Sequence, residues 1–137
     1  EEMGLLPYAE RCDFWQADSA NLPTKFTGYD FILAENVLER SANPANFLHM
    51  LKDRLNLGGI VVIADAYDWS ENYTTADNHL GGFRKDGEPQ RSYDGLCNIM
   101  EEHFELMSPP FDLLESLKLH ARKWELKQVQ VSIWKLK

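Results

Sequence analysis

The chain of 137 residues has the length of one domain or a piece of one, and its 44% hydrophobic content suffices for a real core, which excludes a disordered or fibrous protein. Fourteen Lys and Arg against twenty-two Asp and Glu leave a formal charge of -8, the wrong sign for nonspecific binding to nucleic-acid phosphates or acidic membrane surfaces. The two cysteines, Cys12 and Cys97, form no Cys-x-x-Cys pair and lack flanking histidines, so neither a metal site nor a disulfide framework is predicted.

No apolar run approaches the roughly 20 residues of a membrane span, and Glu1-Glu2 is unlike the basic front of a signal peptide. A soluble cytoplasmic protein in a reduced compartment is expected. Along the chain, Asp13 to Gln16 reads as a short strand end, halted by the turn formers Ala17-Asp18-Ser19 and by Leu22-Pro23. Tyr29 to Ala34 is an almost continuous apolar run between Gly28 and the polar Glu35-Asn36, as for a strand buried on both faces. Asn43-Pro44 then supplies an N-cap and a first-turn proline, and Phe47, Leu48, Leu51 and Leu55 recur at helical spacing, with Gly58-Gly59 closing the helix. Ile60 to Ala64 is a second doubly covered strand.

Two buried strands joined by an amphipathic helix predict an α/β fold with a parallel sheet. Ligands on such sheets bind beyond the carboxyl ends of the strands, which here means Asp18-Ser19, Glu35-Asn36 and Asp65 onward. Residues Ala66 to Ser92 are too long for a simple connection and read as a lid. Glycines 81, 82 and 87 would let it fold over a pocket; its aromatics Tyr67, Trp69, Tyr73 and Phe83 either cover a ligand or pin the loop. Helical spacing resumes from Tyr93 through Leu96, Ile99, Met100 and Phe104. Strands are expected at 104–107 and 127–135, antiparallel to each other, the latter from Val129, Val131 and Ile133 alternating with Gln128, Gln130 and Ser132. With no repeat or composition break, residues 1–137 form a single unit.

There is no GxxxxGK phosphate loop, G-x-S-x-G elbow or HExxH helix. His49, His103 and His120, on presumed helices or turns, read as structural residues. The segments QADSANLP at 16–23, GYDFILAENVLER at 28–40 and NPANFLHMLKDRLNLGGIVVIAD at 43–65, taken in order, resemble the middle of a class I S-adenosylmethionine-dependent methyltransferase. In that family an acidic residue after the third strand receives the adenine amino group, which matches Asp18, with Ser19 beside it. Alone, Asp18 would read as a turn aspartate. The residues leaving the fourth strand, here Ala34, Glu35 and Asn36, border cofactor and reacting methyl group. The family's Leu-x-Pro-Gly-Gly turn appears as Leu55 to Gly59 with leucine for proline.

The runs ADAYDWSENYT at 64–74, HLGGFRKDGEPQRSYDGL at 79–96 and RKWELKQVQVSIWK at 122–135 resemble more closely the C-terminal methyltransferase domain of the bifunctional ovothiol-biosynthesis family. That family joins an iron-dependent sulfoxide synthase to a methyltransferase acting on a ring nitrogen of 5-thiohistidine. The resemblance implies a Rossmann-like class I methyltransferase sheet, C-terminal portion only: strands three to seven, without strands one and two and the glycine-rich loop. It also implies S-adenosylmethionine as cofactor, a small-molecule substrate, and as partners the upstream part of the same domain and a sulfoxide synthase domain. The isolated chain would bind cofactor weakly and be inactive. Tyr67, Trp69 and Tyr73 suit an imidazole acceptor and a sulfonium; the base stays open among Asp65, Glu35, Glu71 and His79. A methyltransferase for another small molecule, or a noncatalytic α/β module packing on a partner domain, are the alternatives.

Overall fold

The two apolar runs become neighbouring parallel strands, β1 (Tyr29–Glu35) and β2 (Leu55–Asp65), with Ile32 beside Val61 and Ala34 beside Ile63. The computed structural model describes Gly4 and residues 6–137. Between the strands Asn43 Oδ1 accepts the Asn46 backbone N–H at 3.0 Å and Pro44 opens α1 (Pro44–Met50), as the N-cap and proline signals predict. The helix ends sooner than the leucine spacing suggests. A 3-10 turn, Leu51–Asp53, follows α1, and Leu55 already belongs to β2. Gly58 and Gly59 therefore do not close the helix but lie inside β2. There Gly58 takes φ 79 and the pairing with β1 shifts register between Tyr29 and Phe31, an irregularity that a left-handed glycine permits.

The segment from Ala66 to Ser92 is more ordered than a simple lid. It contains a 3-10 turn, Ala76–Asn78, and a separate hairpin of β3 (Phe83–Lys85) and β4 (Glu88–Gln90). The hairpin turns on Asp86 and Gly87, both at positive φ (52 and 84), the pair of values that a two-residue loop between twisted strands requires. After it come α2 (Ser92–Met100), β5 (Phe104–Leu106), β6 (Phe111–His120) and β7 (Lys123–Leu136). β7 runs antiparallel between β2 and β5, giving the order β1-β2-β7-β5, while β6 pairs along the amino-terminal part of β7. The four strands expected from sequence thus share one mixed sheet, with those at 104–106 and 123–136 antiparallel. Phe104 belongs to β5, not to α2. β6, which carries no clear period, was not foreseen, and it places His120 at a strand end.

Both helices cover one face of the sheet: Phe47 and Leu48 of α1 and Leu96 and Met100 of α2 enclose Ala34, Val61, Ile63, Phe104 and Trp134. Among the described residues the opposite face holds a small buried group, Ala64, Val129 and Val131. Phe31 and Leu33, which share that face, are each 56% exposed. The run at 29–34 is therefore covered on one side, not two, and β1 is the edge of the sheet. Asp13 to Gln16 likewise belongs to no strand. Phe14 is 93% exposed, and Trp15 packs edge-on to Phe26 at 5.7 Å with the Lys25 ammonium 3.4 Å from its ring centre.

Gly95 gives a direct test of how α2 is seated. Alanine in a helix interior ordinarily stabilises by about 1 kcal/mol over glycine. A Cβ at position 95, however, would lie 2.0 Å from the Leu80 carbonyl oxygen. Gly95→Ala is expected to destabilise by about 1–3 kcal/mol, the cost of overpacking a tight contact, in urea unfolding followed by circular dichroism.

Candidate functional site

The loops leaving β1 and β2 are bound to each other at the carboxyl ends of the strands. Asn36 extends the parallel ladder, its N–H donating to the Ala64 carbonyl at 2.8 Å, and then turns the chain at φ 53. Tyr67 does the same after β2 at φ 55. A non-glycine residue in this region costs on the order of 1 kcal/mol or more, so the surroundings must enforce it. Asp65 does so: fully buried, its Oδ2 accepts the Leu38 N–H at 3.0 Å and its Oδ1 the Tyr67 N–H at 2.8 Å.

Beside it Glu39, 1% exposed, accepts the Asp68 N–H at 3.0 Å through Oε2 and the Lys127 ammonium at 2.9 Å through Oε1. Burial, opposed by the Tyr67 N–H and reinforced by the Glu39 charge, pushes the Asp65 carboxyl up to about 6. The hydrogen bond to Glu39 raises Lys127 in turn.

Lys127 arrives on an arm. β2 pairs with β7 only from Gln130 onward, so most of β6 and the first half of β7 project past the carboxyl end of β2. On this arm Glu115 lies opposite Lys127. Both reach the end of β1: Asn36 Nδ2 donates to Glu115 Oε2 at 3.3 Å, and Lys127 Nζ donates to Asn36 Oδ1 at 3.3 Å. Between arm and strand end is a cleft of about 500 Å³, lined by Asn36, Arg40, Glu115, Leu117, Glu125 and Lys127. The Arg40 guanidinium lies 4.5 Å from the centre of the Tyr73 ring.

Of the residues singled out from sequence, Ala34, Glu35 and Asn36 converge with Asp65 and Tyr67 at the strand ends, Ala34 in the core and Glu35 exposed. Asp18 is exposed and its Oδ1 accepts the Ala20 N–H at 2.9 Å, capping the Ser19–Asn21 turn; Ser19 is half-buried. That turn is tied to α1, where Asn46 Nδ2 donates to the Ala20 carbonyl, and neither Asp18 nor Ser19 lines the arm cleft. Among the three aromatics only Tyr73, under Arg40, joins the cleft's surroundings. Tyr67 packs on the core with its hydroxyl buried and unpartnered, and burial lifts that hydroxyl above the usual tyrosine range. Trp69 donates its Nε1–H to Ser92 Oγ at 2.8 Å and stacks on His79 at 5.1 Å and 15°.

Of the four candidate bases, Asp65 alone is fully buried, whereas Glu35 and Glu71 are exposed. His79 contacts the Thr74 carbonyl through Nε2 at 3.0 Å, which assigns the proton to that nitrogen. Gly81 is no hinge: a Cβ there would sit 2.3 Å from the Ser92 nitrogen, so it is small to let the chain pass α2. Glu39, Arg40, Glu115 and Lys127 were not singled out. Nothing in a single sequence pairs positions 88 residues apart, although Glu39 and Arg40 stand in the strand-end segment already noted.

Among the described residues no helix is long and apolar enough to cross a membrane, and no three His, Cys, Asp or Glu side chains stand together as a metal-ligand set. No family model matches the sequence, and neither does any curated protein. Solved structures do. One, a chain from work on the conversion of a disulfide bond into a thioacetal group during echinomycin biosynthesis, is 13% identical, with a TM-score of 0.59 over 88% of this chain and 54% of its own. A SAM-dependent methyltransferase from Thermotoga maritima, described as a possible histamine N-methyltransferase, is 18% identical, with a TM-score of 0.53 over 100% of this chain and 70% of its own. A SAM-dependent methyltransferase from Methanosarcina mazei is 12% identical, with a TM-score of 0.50 over 88% and 65%. The likeness is one of fold: this α/β chain with its mixed sheet resembles the class I methyltransferase architecture, and it spans about half the length of the first of these chains.

Asp65 makes stability depend on pH in a definite direction. An unfolded carboxyl titrates near 3.9, and the folded one is held higher, at about 6. Its contribution is therefore full below about pH 4, is lost as pH rises through about 6, and amounts to about 2–3 kcal/mol. Urea unfolding of the wild type and Asp65→Asn at pH 4, 5, 6 and 7 should show this decline in the wild type only, as a growing difference between the two curves.

Proposed function

We propose that this chain is the C-terminal part of a class I S-adenosylmethionine-dependent N-methyltransferase, with strands four to seven in its sheet and the third-strand segment, Asp13 to Gln16, unpaired, acting on a small imidazole with 5-thiohistidine of ovothiol biosynthesis as the specific acceptor. The observation that carries the reading is the meeting of Asn36 and Tyr67, two left-handed non-glycine residues, at the carboxyl ends of adjacent parallel strands in a sheet of methyltransferase architecture. The open edge supports the partial-domain reading. Among the described residues β1 has no neighbour on its outer side, and an apolar groove of about 390 Å³ lies beside it, lined by Trp15, Phe26, Tyr29 and Phe31 among others. An exposed apolar edge strand is a pairing template. Upstream strands bearing the glycine-rich loop would seat there, with their helices over Phe31 and Leu33; a sulfoxide synthase domain would precede them.

The residues present fit one margin of the cofactor. Asp18 spends Oδ1 on Ala20 and leaves its second oxygen for an exocyclic amine, and Ala34 to Asn36 offer a strand end for close approach. The loop for the methionine portion is not among the described residues, so cofactor binding requires the upstream part. S-adenosylmethionine would supply an electrophilic methyl group on sulfur. What this chain contributes is position: in-line attack by a neutral ring nitrogen needs the reacting atoms held about 3–3.5 Å apart. Tyr73 offers an exposed ring face for that purpose and Tyr67 and Trp69 shape the wall; if a base must take the ring's second proton, the candidates are Asp65, Glu35, Glu71 and His79, of which Asp65 is fully buried.

In the intact protein, methyl transfer should be faster with 5-thiohistidine than with histidine or other imidazoles, as measured by product mass. Asp18→Ala should weaken S-adenosylmethionine by about 1–3 kcal/mol in calorimetric titration; unchanged affinity would remove Asp18 from the site. Trp69→Ala should raise the acceptor KM or lower turnover with cofactor affinity little changed. If that variant instead loses acceptor binding, cofactor binding and thermal stability together, the hydrogen bond to Ser92 is an anchor and Trp69 has no part in the acceptor wall.

A further inference from the structure

We infer that the cleft between the end of β1 and the β6–β7 arm binds the charged end of a free amino acid, its carboxylate on Arg40 and its ammonium on Glu115 and Glu125. The inference deepens the methyl-transfer reading and rests on it for the identity of the acceptor. The cleft carries both signs of charge, but its charges are not equally engaged. Lys127 is spent: it is bound to the buried Glu39 at 2.9 Å and to Asn36 at 3.3 Å. The Arg40 side chain stays 54% exposed, and Glu39, at 3.9 Å, is its one carboxylate within 4 Å among the described residues. On the facing wall Glu115 takes, among the described residues, a neutral amide N–H from Asn36, and Glu125 lines the cleft from two residues before Lys127.

A cation on one wall and two carboxylates on the other form the complement of a zwitterion. A dicarboxylate would meet Glu115 and Glu125, and a diamine would meet Arg40. The guanidinium fork matches a carboxylate with two parallel hydrogen bonds, and the Tyr73 ring lies 4.5 Å from it. Leu117, opposite Glu125 on the arm, adds an apolar side chain to the lining. Asn36, the residue after β1, borders the cleft, so a ligand held there lies beside the end of β1.

The test is calorimetric titration of the intact protein with L-histidine, histamine, which lacks the carboxylate, and imidazole propionate, which lacks the ammonium. L-Histidine should bind about tenfold more tightly than either. Arg40→Gln should erase its advantage over histamine and leave histamine affinity unchanged. A Glu115→Gln, Glu125→Gln double variant should erase the advantage over imidazole propionate. Arg40→Lys, which keeps the charge without the fork and is the milder change to the fold, should retain part of the preference. Histamine binding as tightly as L-histidine, a full preference surviving in Arg40→Gln, or no binding of L-histidine at millimolar concentration would each overturn the inference. These titrations need no cofactor. A tenfold preference without methyl transfer would leave the site standing and refute the enzyme reading; methyl transfer with no such preference would do the reverse.

Discussion

Two backbone N–H groups converging on the buried carboxylate of Asp65 hold this structure's carboxyl-end crevice together. One comes from the turn after β1 and the other from the loop after β2, so a single side chain sets the distance between the two exits. The arrangement is stiff because it is costly to break: releasing either loop would strand a buried acceptor or a backbone donor, at about 1–3 kcal/mol each. It also offsets the unfavourable backbone at Asn36 and Tyr67, which persists only because the neighbouring contacts over-determine it.

Electrostatics extend the constraint to the arm. Asp65 and Glu39 bring two carboxyl groups into a nearly dry interior, where like charges raise one another's cost. The Lys127 ammonium on Glu39 relieves part of that cost, and with it β7 is drawn over the strand ends. A buried pair of this kind is weak evidence for net stability, since desolvation consumes much of the attraction. What it defines is register, because a lysine one residue along β7 would point to the other face of the arm. The cleft between arm and strand end follows from this one ion pair and from the Asn36 amide that bridges Lys127 and Glu115.

The sheet is asymmetric in a way that bears on every functional statement. Its helix-covered face is packed to the level of fully buried Leu38, Leu48, Leu96 and Trp134, whereas the other face leaves Phe31, Leu33, Leu113 and Phe111 largely open. Apolar area of that extent at an edge strand and on the adjoining arm is usually covered in a working assembly. The proposal of an upstream half-domain answers to this asymmetry, and so does the placement of the charged cleft at the rim and not in the centre.

How much of this was legible depended on the range of the interaction concerned. The βαβ unit was written locally: a buried run needs contiguous apolar residues, a helix start needs an acceptor such as Asn43 before Pro44, and β7 shows its alternation in Val129, Val131 and Ile133. The strand ends that gather Ala34, Glu35, Asn36 and Asp65 followed from those elements and from parallel topology alone. Local patterns failed where a neighbour was the deciding factor. Asp13 to Gln16 has strand-like residues and no partner, Leu55 has helical spacing but is captured by the ladder to Tyr29, and Phe31 and Leu33 read as core although nothing described covers them. Composition and spacing therefore determined the class of fold and the end of the sheet where chemistry can occur. Only the tertiary structure chose which polar groups meet there, because Glu39 and Lys127, or Asn36 and Glu115, are brought together by the return of a distant hairpin, and no local periodicity encodes a contact across 88 or 79 residues of chain.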